Sequence, residues 1–234
     1  MITRASLHRT AQALASALVV PLLLATVRAA PAEEALGAPV AAGADTAGAE
    51  AEAARPYSVS AAVNIYVLSG HRTYAQPTLA GDYGRLHLEA RYNYEALDTA
   101  SAWLGFNFSL NRALSLHFTP MLGGVFGHTT GIAPGYKLTL AYWKLLFYSE
   151  GEYLFDTADS SGNFAYSWSE LSLSPLEWLR FGFAEQRTRA YQTDVDIQRG
   201  PLIGVSYRWA SVTAYLFDLD QSEQTYVVAL AASF

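Results

Sequence analysis

The last ten residues, Thr225 to Phe234, read TYVVALAASF. Tyr226, Val228, Leu230, Ala232 and Phe234 fall on one side of a period-two pattern, and the smaller Thr225, Val227, Ala229, Ala231 and Ser233 on the other. Successive side chains of a strand point to opposite faces, so this is a strand with one large apolar face and one small or polar face. An aromatic residue closes the chain.

Working outward, the same rhythm runs back through the sequence. Alternating runs occupy Arg85 to Glu95, Ser101 to Leu110, Leu114 to Phe126, Tyr136 to Tyr142, Leu145 to Phe155, Phe164 to Ser174, Leu179 to Arg189, Gly200 to Trp209 and Val212 to Leu219. Tyr57 to Val67 and the terminal strand bring the count to eleven. Thr73 to Ala80 is a weaker twelfth, because Pro77 has no N–H and belongs at an edge or a bulge. From Pro56 onward no apolar run is long enough for a transmembrane helix. A soluble sandwich and a lipid-facing barrel share such a composition, and alternating runs of about ten residues between turn residues select the barrel.

Ahead of the strands lie two segments of different character. Arg4, His8 and Arg9 precede the apolar run Ala11 to Val27, which ends in small residues, so 1–29 reads as a cleaved secretory signal. Residues 30–55 are almost all Ala, Gly, Glu and Pro, too poor in apolar bulk to order a core, and read as disordered. Removing Arg4, Arg9 and Arg28 from the 15 basic residues leaves twelve against 21 acidic ones, a net charge of −9 that argues against a nucleic-acid partner. The absence of Cys excludes a disulfide framework and a thiolate nucleophile.

The alternating strands with a terminal Phe resemble bacterial outer-membrane β-barrels, a porin-like class, from Pro56 to Phe234. The resemblance implies an all-β, transmembrane, antiparallel up-and-down barrel after Sec-type signal cleavage. It also implies that lipid and lipopolysaccharide surround the chain and that the barrel-assembly machinery reads Phe234. An even strand number is required with both ends on the periplasmic side, which gives twelve strands, or ten if two short pieces lie outside the wall. The outer loops then fall at Asp220 to Gln224, Ala190 to Arg199, Asp156 to Asn163 and Gly127 to Pro134. The inner turns fall at Ala210-Ser211, Pro175 to Trp178, Trp143-Lys144 and Asn111 to Ala113. Trp143, Trp178, Trp209 and Phe234 make an inner aromatic girdle. Tyr94, Phe155, Phe164, Phe217 and Tyr226 are placed to make the outer one.

Period two assigns the lumen to Arg85, His87, Glu89, Arg91, Glu95, His117, Lys137, Glu150, Glu152, Glu170, Arg180, Arg208 and Asp218. The two signs are close to balance. Mixed charges either guide a polar solute through a pore or pair and close a small barrel. The expectation is a small passive channel for polar solutes or ions, with a non-conducting structural or surface-binding barrel as the alternative and a lipid-modifying barrel enzyme as the least favoured reading. Arg187 and Arg189 extend the outward face of Leu179, Phe181 and Phe183, so either a bulge flips the register or the pair meets lipopolysaccharide phosphates.

Catalytic constellations are weak. His71, His87, His117 and His128 are the barrel histidines, and Ser115 sits two residues from His117, roughly 7 Å away on the same face and too far to be activated. No enzyme, cofactor or metal site is expected, although Glu150 and Glu152 share a face and could hold a cation or meet Arg180 or Lys137.

Overall fold

The computed structural model describes residues 57–68, 73–190, 196–221 and 224–234. The signal segment, the Ala-rich segment, His71 and parts of two outer loops lie outside these residues.

The described chain is strand after strand: β1 (Tyr57–Leu68), β2 (Tyr74–Tyr83), β3 (Leu86–Tyr92), β4 (Thr99–Phe106), β5 (Phe108–Asn111), β6 (Ser115–Gly127) and β7 (Gly131–Tyr142). There follow β8 (Leu145–Asp156), β9 (Phe164–Leu176), β10 (Leu179–Ala190), β11 (Asp196–Tyr207), β12 (Ala210–Phe217) and β13 (Thr225–Ser233). Sequence neighbours pair antiparallel except β4 and β5, and β1 pairs with β13. β4 and β5 both pair with β6, so they are two halves of one wall strand, and the sheet closes into a 12-strand barrel. Closure leaves no open edge to be satisfied in hydrocarbon, where no water can bond a backbone group. The seam joins the first and last described strands, with Val59 and Phe234 exchanging backbone hydrogen bonds at 3.2 and 2.8 Å.

At the break between β4 and β5, Asn107 donates its amide to Asp82 of β2 at 2.6 Å, accepts from Thr119 Oγ1 of β6 at 2.7 Å, and its backbone N–H bonds the Arg85 carbonyl at 2.8 Å. The twelfth expected strand is full length, and Pro77 sits just past the end of the β2–β3 pairing, where one side of β2 is an edge. β7 begins at Gly131, inside the stretch expected as loop, and β11 likewise begins at Asp196. The turn expected at Ala210-Ser211 is instead Arg208-Trp209.

Burial alternates along the walls. In β4, Thr99, Ser101 and Trp103 are buried while Leu104 and Phe106 are exposed; in β11, Leu202 is buried between exposed Pro201 and Ile203. The outside is a coat of exposed Leu, Ile, Val and Phe, among them Leu79, Leu122, Leu171, Phe183 and Ile203. A monomer facing water does not leave so continuous an apolar surface open, so this is a face for lipid. At the end of the short turns, Trp143, Trp178, Trp209 and Phe234 are all exposed, and Trp209 stacks on Phe234 with ring centroids 5.7 Å apart.

Candidate channel lumen

The inward faces of β3, β4, β7 and β8 carry the first charged cluster. Arg91 on β3 donates Nε to Glu89 and Nη1 to Glu152 at 2.8 Å, and its guanidinium lies over the rings of Tyr94 at 4.2 Å and Trp103 at 4.5 Å. Lys137 also donates to Glu89. His87 sits between Asp82 at 2.8 Å and Glu89 at 3.2 Å. Glu150 takes its hydrogen bonds from phenols: Tyr94 to one oxygen, Tyr148 to the other at 2.6 Å. Glu95 accepts from Ser101, which in turn accepts from the Trp103 indole at 2.9 Å.

A second cluster spans β9 to β12. Arg180 donates to Glu170 and to Thr213, each at 2.8 Å, and to Tyr215 at 3.3 Å; Trp168 and Tyr215 both donate to Glu170 Oε1. Two glycines make these arrangements possible. A Cβ at Gly123 would stand 2.5 Å from the Trp103 indole, so the bare backbone is the seat on which that ring lies. A Cβ at Gly204 would stand 2.8 Å from Arg180 Nε.

Several of these contacts cross the lumen. β13, β12 and β11 separate β1 from β10, yet Tyr66 donates to Gln186 at 3.1 Å. Arg91 likewise reaches Glu152 past β4, β6 and β7, and Tyr94 meets Tyr166 edge-on at 5.5 Å. The space left is a cavity of about 70 Å³ between this charged and aromatic half and a wall of small residues that includes Ala62, Asn64, Ser211, Ala229 and Ala231. Alternation of the closing stretch thus does two things: its large face coats the outside, and its small face keeps room inside.

Of the residues assigned to the lumen, His87, Glu89, Arg91, Glu95, Lys137, Glu152, Glu170, Arg180 and Asp218 are buried and Glu150 and His117 half-buried. Arg85 and Arg208 are corrections. Both are exposed in short turns, Arg85 after Gly84 at φ +58° and Arg208 itself at φ 54°, and they lie over the rings of Phe108 and Tyr207 at 6.0 and 5.4 Å. Without them the interior is no longer balanced: Arg91, Lys137 and Arg180 face Asp82, Glu89, Glu95, Glu150, Glu152, Glu170 and Asp218. Three members of the expected outer girdle also turn inward. Tyr94 leaves the strand behind Asn93 at φ 58°, Phe217 is fully buried against Trp168, and Phe164 packs beside the cluster of Trp103, Val125 and Leu154. Phe155 and Tyr226 remain exposed on the outer face.

The aromatic filling of the lumen by Trp103, Trp168, Tyr66, Tyr148 and Tyr215 was not anticipated, although each occupies the inward parity of its strand. His117 also has a partner that the sequence did not suggest. Ser109, opposite it on β5, lies 2.9 Å from His117 Nδ1. A Ser–His contact supplies a nucleophile and a base but needs an orienting group and oxyanion donors to catalyse acyl transfer.

On the outside, the β9–β10 register runs unbroken from Phe181 to Ala190, and its one irregularity lies at Leu179/Phe181 near the opposite end. The bulge considered for Arg187 and Arg189 is therefore absent from that stretch. Both side chains are exposed on the outer face, with Arg187 paired to Glu185 at 2.5 Å and the exposed Arg199 opposite Glu185 on β11.

Architecture and comparison agree. The chain is similar in structure to KdgM porin, with a TM-score of 0.52 and 11% identity over 75% of this chain and 99% of that one. The fold is that of outer-membrane β-barrels. A second structure of that protein, KdgM porin in complex with disordered oligogalacturonate, matches equally, at a TM-score of 0.52 and 11% identity over the same shares. The outer membrane protein Omp33 of Acinetobacter baumannii gives a TM-score of 0.46 at 10% identity over 76% of this chain and 98% of its own. No family model and no curated protein matches the chain.

Proposed function

We propose that this chain is a narrow passive channel of the bacterial outer membrane for small polar solutes or ions, delivered there by Sec-type export and by assembly that reads Phe234. The observation that carries the reading is a cavity of about 70 Å³, lined by Glu89, Lys137, Glu150, Glu170 and Arg180 among others, inside a barrel whose outer face is largely apolar. KdgM porin was solved with an oligogalacturonate, an acidic saccharide. Here the interior carries seven carboxylates against three fixed cations, which disfavours an anionic saccharide and suits small cations or neutral solutes.

The test is single-channel conductance of the refolded barrel in a planar bilayer. Steady current is expected, with Glu150→Ala and Arg91→Ala moving ion preference in opposite directions. One observation favours a second reading, a non-conducting barrel: Tyr66–Gln186, Arg91–Glu152 and Tyr94–Tyr166 all bridge the lumen. A folded barrel that carries no current supports that reading instead. The Arg187, Arg189 and Arg199 group fits lipopolysaccharide phosphates as an outer-leaflet contact. We assign the chain no enzymatic activity; lipid turnover that disappears in Ser109→Ala would overturn this.

A further inference from the structure

We propose that the short-turn end of the barrel binds the phosphates of anionic phospholipids through a belt of Arg85, Arg112, Lys144 and Arg208. The ten Lys and Arg of the described residues fall into three groups. Arg91, Lys137 and Arg180 lie in the lumen, each bonded to a carboxylate, and Arg187, Arg189 and Arg199 are exposed on β10 and β11. The other four stand exposed in short turns, one each between β2 and β3, β5 and β6, β7 and β8, and β11 and β12. The fifth short turn, between β9 and β10, carries Glu177, the one acid in these turns. A chain of net charge −6 thus gathers positive charge at one end.

Three of the four cations are held against the outside of the wall. Arg85 lies over Phe108 at 6.0 Å, Lys144 over Trp143 at 5.6 Å and Arg208 over Tyr207 at 5.4 Å, and all three rings are exposed. Phe108 pairs with the exposed Phe118 of β6, and Tyr207 continues the exposed series of Ile203 and Val205 on β11, so both rings belong to the lipid-facing coat. A cation over such a ring sits where the apolar coat meets water, at the level of lipid headgroups. Lys144 donates to the Pro175 carbonyl at 2.8 Å. Among the described residues the guanidiniums of Arg85, Arg112 and Arg208 donate no hydrogen bond, and none of the four cations pairs with a carboxylate. A guanidinium over a ring keeps the N–H groups of its edge for an oxyanion.

The spacing of the belt fixes the kind of partner. Strand order puts its four turns round the circumference with the lumen between them, so one compact partner could not meet them together. A leaflet surrounds the barrel and can. Headgroup phosphate supplies the missing negative charge at the level where the rings hold the cations. The belt lies outside the wall and does not depend on whether the lumen conducts.

The protein carries its own reporters. Trp143, Trp178 and Trp209 are exposed at this end, whereas Trp103 and Trp168 are buried in the lumen, so quenching of tryptophan fluorescence by brominated lipid reads occupancy at the belt. The refolded protein in phosphatidylcholine vesicles is titrated with acyl-brominated phosphatidylglycerol and, in parallel, with phosphatidylcholine brominated in the same way. The anionic lipid should quench at the lower mole fraction, with a relative affinity of about fivefold, the worth of one basic residue at an anionic surface. That ratio should fall to one in Arg85→Gln/Arg112→Gln/Lys144→Gln/Arg208→Gln and, for wild type, at molar salt. Arg85→Lys/Arg112→Lys/Arg208→Lys, which keeps the charge, should retain most of it. Equal quenching by the two lipids in wild type, or a ratio that survives in the neutral variant, would overturn the belt. If the neutral variant does not regain heat-modifiable mobility, the wild-type salt series decides, and a ratio unmoved by salt overturns the proposal. A ratio of one, together with binding to isolated peptidoglycan that the neutral variant loses, would likewise overturn it and assign the four cations to the cell wall.

Discussion

Arg180 is buried and held by Glu170, Thr213 and Tyr215. Taking away one partner of a buried pair strands the other, whereas replacing both with apolar groups of similar volume is often neutral. Arg180→Ala should therefore lower the unfolding free energy in detergent by about 3 to 5 kcal/mol. Arg180→Met combined with Glu170→Leu should recover most of that loss, and equal midpoints for the single and double variants in a urea titration would refute it. Gly204→Ala strains the same pair from the wall side, since the new methyl meets Arg180 Nε at 2.8 Å. Legibility at this scale follows backbone dihedrals. Leu86 to Tyr92 keeps strict alternation, so His87, Glu89 and Arg91 were readable as inward by counting in twos. Counting fails at Arg85, Arg208 and Tyr94, each at or just after a residue with φ between 54° and 58°, because a left-handed residue ends the period and nothing in the hydrophobic pattern marks it. Phe164 and Phe217 failed differently. They share parity with the buried Trp168 and Tyr215, so parity places them inward although each stands next to an outer loop.

The wall strands were legible as a set because long polar loops and short turns alternate along the chain, and only the interruption at Asn107 was invisible. Phe106 and Phe108 continue the apolar rhythm across it, and what sits there is the Asn107 side chain, bonded to Asp82 two strands away and to Thr119 on the adjacent β6. β10 is the strand whose pattern runs against its surroundings. Its outward series goes from Phe181 and Phe183 to Glu185, Arg187 and Arg189 without a slip in register. An Arg on the lipid face costs about 2 to 4 kcal/mol at the midplane and little near an interface, so the charged end must lie at the outer rim. There it can pair with phosphate. Arg187→Ala/Arg189→Ala should lower the affinity of the refolded barrel for lipopolysaccharide while leaving its heat-modified mobility unchanged. Equal binding by variant and wild type in a lipid-retention assay would show that the two arginines serve only solubility and the Glu185 pair.

At the scale of the whole molecule, the barrel is two unlike halves. Charged and aromatic side chains, mostly from β3 to β10 and joined by Tyr66 of β1 and Tyr215 and Phe217 of β12, fill one side, and Ala62, Asn64, Ser211, Ala229 and Ala231 of β1, β12 and β13 line the other, with the cavity between them. Twelve strands leave more room than the eight whose interior side chains just fill, and here aromatic rings have taken up much of the difference. Any conduction path must run along the small-residue wall, because the opposite half is tied across the lumen by hydrogen bonds. This makes a prediction that does not touch a single charge. Ala231→Phe places a ring in the cavity from the last strand, where Ala231 pairs with Ala62 on one side and Ser211 on the other, so neither neighbour resists it. The variant should assemble and keep its heat-modifiable mobility, since the ladder bonds of β13 are backbone bonds, and its single-channel conductance should fall steeply. Ala232→Phe, one residue on and facing lipid, should conduct as wild type does. If both variants conduct equally, the path lies through the charged half, and the cross-lumen bonds of Tyr66 and Arg91 must open for it.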